Sequence, residues 1–426
     1  MTTEKSVLAR VRTSHFFGRG LGTNHVAAGS FWMLAATASV SIGSFFFWLI
    51  ASRQTDADVV GRASGLFSAV FFLAFASNLG LPTAVARYGA TNDPLHVQRF
   101  RAALVATVVM AVIVATIFYV LDPNDLLNPV RSRGTIQGWF ILSSLAAGAG
   151  VSVLVDTRLT GLRRWTDVFW RSTAISVVRL PLIVPALKDE TGFWLFAVAA
   201  SVYALTSLPY LPSLVRGTAT TWDGAAHLEA LRYSAVNYIG QIAAQAPLFA
   251  TPLLVALTVD DSANATFYLA WGMMTVVYLA VHLLGRTLLV EASKREGSLR
   301  KQVMTSLLVG TAVTVPALVL SVPAGPILVF LYGEQHAQIS EMLPLLMLGT
   351  VPWVLTRTTL AVARALDQTI QTLLVAIWSS VAVMSAVVIA AAVGGARTAA
   401  LGWAIGCFAS IPVALPVLRR LLKGQP

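Results

Sequence analysis

Long apolar runs alternate with short charged segments along the whole chain, and the charged segments alternate in sign. A membrane-crossing helix needs about 20 predominantly apolar residues. On that measure the runs predict about twelve spans, near 27–51, 63–88, 102–121, 135–157, 168–187, 193–214, 234–258, 264–291, 301–322, 339–363, 369–393 and 397–418. Basic segments such as Arg158-Arg163-Arg164-Arg171 and Lys294-Arg295-Arg300-Lys301 alternate with acidic ones such as Asp56-Asp58, Asp122-Asp125, Asp189-Glu190 and Asp260-Asp261. Loops rich in Lys and Arg stay in the cytoplasm, because moving those charges across the bilayer is disfavoured. The alternation therefore predicts a multi-pass cell-membrane protein with both termini inside. Connections on the acidic side are short, and only 323–338 is longer, so the working parts are expected within the membrane.

A basic linker, 216–233, divides the spans six and six. The predicted organisation is a cytoplasmic segment 1–26, a six-helix lobe 27–215, that linker, a second six-helix lobe 234–418 and a cytoplasmic tail 419–426. Each half opens with a helix ending in an acidic turn and returns through an aromatic-rich helix. Two like-oriented halves are a common transporter plan, with the path at their interface. The expected fold class is an all-α polytopic membrane protein. Pro181, Pro185, Pro247, Pro252, Pro344 and Pro352 are predicted bending points, since each removes a backbone donor. Asn78, Gly80 and Pro82 mark a break in the second span.

Composition narrows the function. A hydrophobic share of 56%, a charged share of 12% and a mean hydropathy of +0.73 lie outside the range of soluble proteins. The net charge of +11 follows from the topology; it favours anionic membrane lipid as a partner, and with no nucleic-acid motif present nucleic acid is not expected. The run 27–51 is too long for a signal-peptide core and should remain as the first span. One cysteine, Cys407, excludes an internal disulfide and a cysteine metal cluster. A phosphate-binding Gly-rich loop, a His-Glu-x-x-His helix and a nucleophile elbow are all missing, so neither enzyme activity nor a cofactor or metal is expected.

Polar groups inside the spans are the candidate site, because such groups are costly in lipid. Asn237, Gln241 and Gln245 repeat every four residues and share one face of the seventh span. That face either lines a watery cavity or bonds to neighbouring helices. Tyr278, His282 and Arg286 repeat in the same way on the eighth span and offer groups suited to a sugar, a proton and a phosphate; Arg286 is also close enough to the end to snorkel. Arg179 lies eight residues beyond Arg171, about 12 Å along a helix, which puts it near mid-bilayer. Its own helix holds no acid to pair with, and Asp156 on the preceding span is the alternative partner. Arg357 is a shallower case. On the first span Ser30, Thr37, Ser41, Ser44 and Trp48 form a small-polar stripe, expected to be a close-packing face.

The segments Leu49-Ile50-Ala51-Ser52-Arg53-Gln54-Thr55-Asp56-Ala57-Asp58-Val59-Val60-Gly61 and Asn78-Leu79-Gly80-Leu81-Pro82-Thr83-Ala84-Val85-Ala86-Arg87-Tyr88 resemble the opening of polysaccharide (lipid-linked oligosaccharide) flippases. Those belong to the multidrug/oligosaccharidyl-lipid/polysaccharide exporter superfamily. Phe267-Tyr268-Leu269-Ala270-Trp271 and Leu331-Tyr332-Gly333-Glu334 are similar to that group as well. The resemblance implies a V-shaped bundle whose lobes rock about a central cationic cavity. Its cargo would be a polyprenyl-diphosphate-linked saccharide turned from the inner to the outer leaflet of a bacterial cell membrane, with a polysaccharide polymerase or ligase as partner. The arginines that lipid II flippases carry on their first helix are absent from 27–51, and their two extra C-terminal helices have no counterpart. That points to a glycan other than lipid II. Two alternatives stand beside it. A cation-coupled drug exporter of the same superfamily would need a membrane-embedded acid, for which Asp156 and Glu291 are the nearest candidates. A glycosyltransferase using a lipid-phosphate sugar would use Asp56-Ala57-Asp58 but would need a longer first loop.

Overall fold

The computed structural model describes the backbone of residues 25–89, 96–121, 123–216, 224–293 and 298–423, and the side chains within 29, 31–86, 96–121, 124–216, 238–281 and 298–423. Among the described residues there are helices and turns and no strand. The first group of helices comprises α1 (His25–Gln54), α2 (Ala57–Ser77), α3 (Leu81–Gly89), α4 (His96–Leu121), α5 (Asn128–Arg131), α6 (Thr135–Gly161), α7 (Trp165–Ala186), α8 (Phe193–Ser207) and α9 (Leu211–Val215). The second comprises α10 (Gly224–Ala256), α11 (Asp261–Ser293), α12 (Leu299–Tyr332), α13 (Ile339–Ala365), α14 (Thr369–Phe408) and α15 (Ile411–Lys423).

Ten stretches among the described residues are long and apolar enough to cross a membrane. The last of them is two crossings. Gly394 and Gly395 leave helical geometry, and Gly395, at φ 76°, takes a conformation that a side chain would resist. Beyond this turn the chain doubles back, so Gly402 lies against Ala386 and Ala390, and Gly406 against Val383. Helix α8, at 15 residues, is extended by the turn and α9 that follow it. These two features bring the crossings to about twelve, as the hydropathy pattern predicts.

Two boundaries differ from expectation. The segment 323–338 is not a loop, because α12 continues through Pro316, Pro323 and Pro326 to Tyr332. A proline in a membrane helix frees a carbonyl that neighbouring groups can satisfy, so it bends the helix without ending it. In addition, α10 starts at Gly224, inside the stretch expected to be the linker. The break in the second span is real: Asn78, Leu79 and Gly80 form a turn with Leu79 and Gly80 at positive φ, and α3 starts afresh at Leu81.

Packing follows the two groups. In the first, α1 lies along α7, α6 packs on α2, α4 and α8, and α7 also meets α8. In the second, α13 is central, touching α11, α12 and α14, while α10 lies along α14. Helix α2 joins the groups through α10 and α11, and most of its side chains are buried. A helix that is mostly apolar and mostly buried belongs in the middle of a bundle.

Candidate functional site

A cavity of about 360 Å³ lies where α2 meets α10 and α11. Its wall is aromatic. Trp48 of α1, Phe67 and Phe71 of α2, Tyr203 of α8, Phe249 of α10, Tyr268 and Trp271 of α11 and Tyr332 of α12 all face it. The rings brace one another, with Trp48 edge-on to Tyr268 at 5.1 Å, Phe67 beside Phe71 at 4.5 Å and Phe71 edge-on to Tyr203 at 4.8 Å. Edge-to-face contacts of this kind fix ring positions beyond what apolar burial does. Ser41, Ser44, Ser68 and Thr275 supply hydroxyls to the wall, and the buried indole nitrogen of Trp48 makes no hydrogen bond.

This corrects the reading of the first span. Ser41, Ser44 and Trp48 line the cavity and are not a packing face. The packing face is the neighbouring one, where Ser176 of α7 donates to the Ser39 carbonyl at 2.8 Å and Ser39 to Thr173 at 3.1 Å. The period of four residues marks a face but cannot say what lies opposite it.

The expected cationic wall is also corrected, since no charged side chain lines the cavity among the described residues. The cation lies one layer behind. Arg179 is 1% exposed, and its guanidinium carbon stands 5.4 Å from the ring centre of Phe47, 5.5 Å from Tyr203 and 6.0 Å from Phe67. Two of those three rings are part of the wall. Arg179 Nη2 donates to the Ala199 carbonyl at 3.1 Å, while its buried Nε has no partner. Asp156 is not its counter-ion. That carboxylate is held by Arg171, one Nε–Oδ1 distance being 2.8 Å, and Arg171 also donates to Ser152 and Ser207 at 2.8 and 3.1 Å. The eight residues from Arg171 to Arg179 span two turns, so a carboxylate level with the first cannot reach the second.

In the second group, Gln241 and Gln245 are half-buried on α10, and neither belongs to the cavity wall. Arg357 of α13 reaches the same turn, donating from Nη1 to the Ala244 carbonyl at 3.2 Å. Tyr278 is buried against Trp353, with ring centres 5.8 Å apart, and faces α13. These residues come together around α10, α11 and α13, at a distance from Arg179. The side chains of Asn237, His282, Arg286 and Ser30 lie outside the described residues, as does that of Glu291.

At the end of the bundle that carries the acidic turns, the two groups are fastened together. Arg62 of α2 pairs with Asp261 at the start of α11 at 3.2 Å, and also donates to the carbonyls of Glu190 and Thr191. Asn264 donates to the Gly61 carbonyl at 2.9 Å, and Gln335 to that of Ser52 at 2.6 Å. Arg53 donates to the Phe330 carbonyl and Asn124 to that of Leu257. Gly61 is the point of closest approach, where a β-carbon would sit 1.8 Å from the Asp261 carbonyl oxygen. Burial alone would raise the carboxyl of Asp189 in the adjoining loop. The N–H groups of Trp194 and Thr191, the Thr191 hydroxyl and Arg133 hold it below its ordinary value. His336, in the turn after α12, is fully buried with Nδ1 3.0 Å from Thr266 Oγ1, and burial lowers its imidazole to about 4. Further toward the basic end, α2 and α10 meet again through Tyr238, which donates to the Ala76 carbonyl at 2.6 Å, and through stacked Phe75 and Phe249.

No protein-family profile and no curated protein matches the chain. Solved structures do match it in shape. The chain is similar to a MATE protein in complex with MaL6, at 15% identity over 94% of this chain and 97% of that one, with a TM-score of 0.63. It is similar to the lipid II flippase MurJ in an inward closed conformation, at 12% identity over 92% and 90%, with a TM-score of 0.68. An inward-facing multidrug resistance MATE family transporter of the MOP superfamily matches at 14% identity over 93% and 96%, with a TM-score of 0.62. At such identities the likeness is one of fold. The chain has the two-lobe, all-helical fold of these transporters.

Proposed function

We propose that this protein is a membrane transporter that turns a polyprenyl-diphosphate-linked saccharide from the inner to the outer leaflet by alternating access. The reading rests above all on the aromatic cavity enclosed between two helix groups, with a carboxylate-free arginine directly behind its wall. Indole and phenol rings stack on the apolar faces of sugar rings, and the wall hydroxyls and the Trp48 N–H suit sugar hydroxyls. A guanidinium is the side chain best matched to a phosphate, through its bidentate fork. In this proposal Arg179 meets the diphosphate, while Gln241, Gln245, Arg357 and Tyr278, with Asn237, His282 and Arg286, act on the second lobe as the path opens. The basic loops and both termini face the cytoplasm, so the fastened acidic end faces outward.

One observation favours a second reading, export of an apolar drug-like molecule. The wall holds aromatic and aliphatic side chains and no charge among the described residues, which suits an uncharged cargo as well as a glycan.

Deleting the gene and weighing the lipid-linked glycans that accumulate in the inner leaflet separates the two. Accumulation of a lipid-linked saccharide, reversed by the wild-type chain, supports the first reading. An unchanged glycan profile with a changed drug tolerance supports the second. Arg179→Ala is expected to abolish the rescue at normal protein abundance, and Arg179→Lys to keep part of it through the retained charge.

A further inference from the structure

A second arginine in the first helix group is buried without a counter-ion, and it lies far from the cavity. Arg158 stands in the last turn of α6 and is 2% exposed. Among the described residues it meets no carboxylate and no hydrogen-bond acceptor, and its Nε is buried without a partner. Among the described residues its guanidinium faces the ring of Phe100 on α4, with the guanidinium carbon 5.8 Å from the ring centre. Phe100 belongs to an apolar cluster with Leu81 and Val85 of α3, Leu159 of α6 and Leu214 of α9. A guanidinium held among such side chains loses its hydration and recovers little of it from one ring.

The surroundings are basic. Arg101 donates twice to the Val215 carbonyl at the end of α9, and Arg164 donates to Ser213 on the same helix. The ends of α4, α6, α7 and α9 therefore converge, and these ends carry Arg99, Arg101, Arg163, Arg164 and Arg216. The nearby acid, Asp167, is taken by Arg164 at 2.6 Å. One turn and more further along α4, Val105 and Val109 are 64% and 50% exposed, a surface suited to acyl chains.

We propose that Arg158 anchors the phosphate of an anionic phospholipid, whose headgroup enters at the basic end of the first helix group while its chains lie along α4. The lipid supplies the acceptors that the protein withholds. Phosphate is the fitting group, because its oxygens accept two parallel N–H bonds from one guanidinium. The lipid source follows from the exposed Val105 and Val109 on α4, the helix that carries Phe100. This site is independent of the transport reading and needs only that the chain lies in a bilayer.

The test uses the full chain, purified in dodecyl maltoside and stripped of lipid. Phosphatidylglycerol should raise the thermal midpoint by several degrees, and phosphatidylcholine with the same chains should not. Arg158→Met should unfold at or above the wild-type midpoint without lipid, because it removes an unpaired buried charge. It should also weaken phosphatidylglycerol binding on the order of tenfold, with Arg158→Lys intermediate. Arg163→Gln, on the exposed rim, should change little. An undiminished lipid shift in Arg158→Met overturns the proposal. So does a lower midpoint or loss of folding for Arg158→Met without lipid, since Arg158 would then be structural. A shift that needs Arg158 but answers only to undecaprenyl diphosphate moves the site to the cargo lipid and overturns the bilayer assignment. A comparable shift from inorganic pyrophosphate removes the need for a lipid.

Discussion

Gly61→Ala tests whether the fastened acidic end governs access to the cavity. The substitution favours the helix locally, since alanine is the better helix former by about 1 kcal/mol. Any loss must therefore come from packing. An alanine β-carbon would stand 1.8 Å from the Asp261 carbonyl oxygen, and that oxygen is backbone. No rotamer change relieves the overlap, so α2 and α11 must separate by at least about 1.2 Å to reach even a tight contact of 3.0 Å. That stretches the Asn264–Gly61 bond of 2.9 Å and the Arg62–Asp261 pair of 3.2 Å past useful lengths. A neutral hydrogen bond contributes about 1 kcal/mol, and a part-exposed ion pair up to about 1 more. The closed arrangement should weaken by about 2 kcal/mol, or roughly 30-fold in the closed-to-open ratio. The assay replaces Cys407 by alanine, places one cysteine at Ser44 in the cavity wall and follows an impermeant thiol reagent added from the acidic side. Gly61→Ala should raise the labelling rate by a comparable factor, while Gly272→Ala, whose β-carbon meets nothing within 4 Å, should not. Equal labelling in Gly61→Ala and the parent, at equal folding, would refute the reasoning.

Three further outcomes follow. His336 is neutral when buried, and its imidazole is lowered to about 4 from an ordinary value of 6.5. Its contribution, up to about 3 kcal/mol, is therefore complete above pH 6.5 and lost as the pH falls toward 4; the thermal midpoint of His336→Gln should be flatter over that window. Asp156→Asn should destabilise by roughly 3 kcal/mol, because it leaves Arg171 buried and uncompensated, whereas Asp156→Leu with Arg171→Leu together should recover much of the loss in thermal unfolding. Trp48→Phe, which keeps an aromatic face and deletes the indole N–H, should weaken glycan export several-fold at unchanged abundance; full export would show that this donor meets no cargo.

The spans were legible because the cost of polar groups in lipid leaves a strong, local signature. The break at Asn78–Gly80 and the reversal at Gly394–Gly395 were legible too, since each turns on a glycine at positive φ. What lay opposite each face was not. A stripe such as Ser41, Ser44 and Trp48 has the same spacing whether it packs or lines a void, and only the position of α11 decides it. Tyr203, Tyr268 and Phe67 escaped as site residues because an aromatic cavity and an aromatic core read alike. Their density in Phe67-Ser68-Ala69-Val70-Phe71 and Phe267-Tyr268-Leu269-Ala270-Trp271 was the available signal. The fastening of Arg62 to Asp261 joins residues 199 apart, which no local pattern encodes. The segment 323–338 read as a connection, whereas α12 continues to Tyr332 through Pro316, Pro323 and Pro326, since in a membrane bundle neighbouring groups can satisfy the freed carbonyls.

Two arginines on one helix show what separates a structural cation from an available one. Arg171 and Arg179 are equally sealed, at 2% and 1% exposed, and both lie on α7. Arg171 has a carboxylate and two serine hydroxyls, so nearly every donor of its guanidinium is used. An anion could reach it only by displacing Asp156, at a cost that its own attraction would not exceed. Arg179 has one carbonyl and three ring faces. Ring faces attract a cation without consuming its hydrogen bonds in the plane, so the fork stays open to a bidentate partner. A guanidinium standing bare in the wall would hold a diphosphate strongly in so apolar a setting, and a carrier that cannot release its cargo does not turn over. Behind Phe67 and Tyr203 the same charge would act on a cargo at longer range, and on the proposed function a movement of those rings would bring it closer. They sit on α2 and α8, and α2 is the helix that joins the two groups. On the proposed function, the grip on an anion would thereby be tied to the arrangement of the lobes, which is the coupling that alternating access demands.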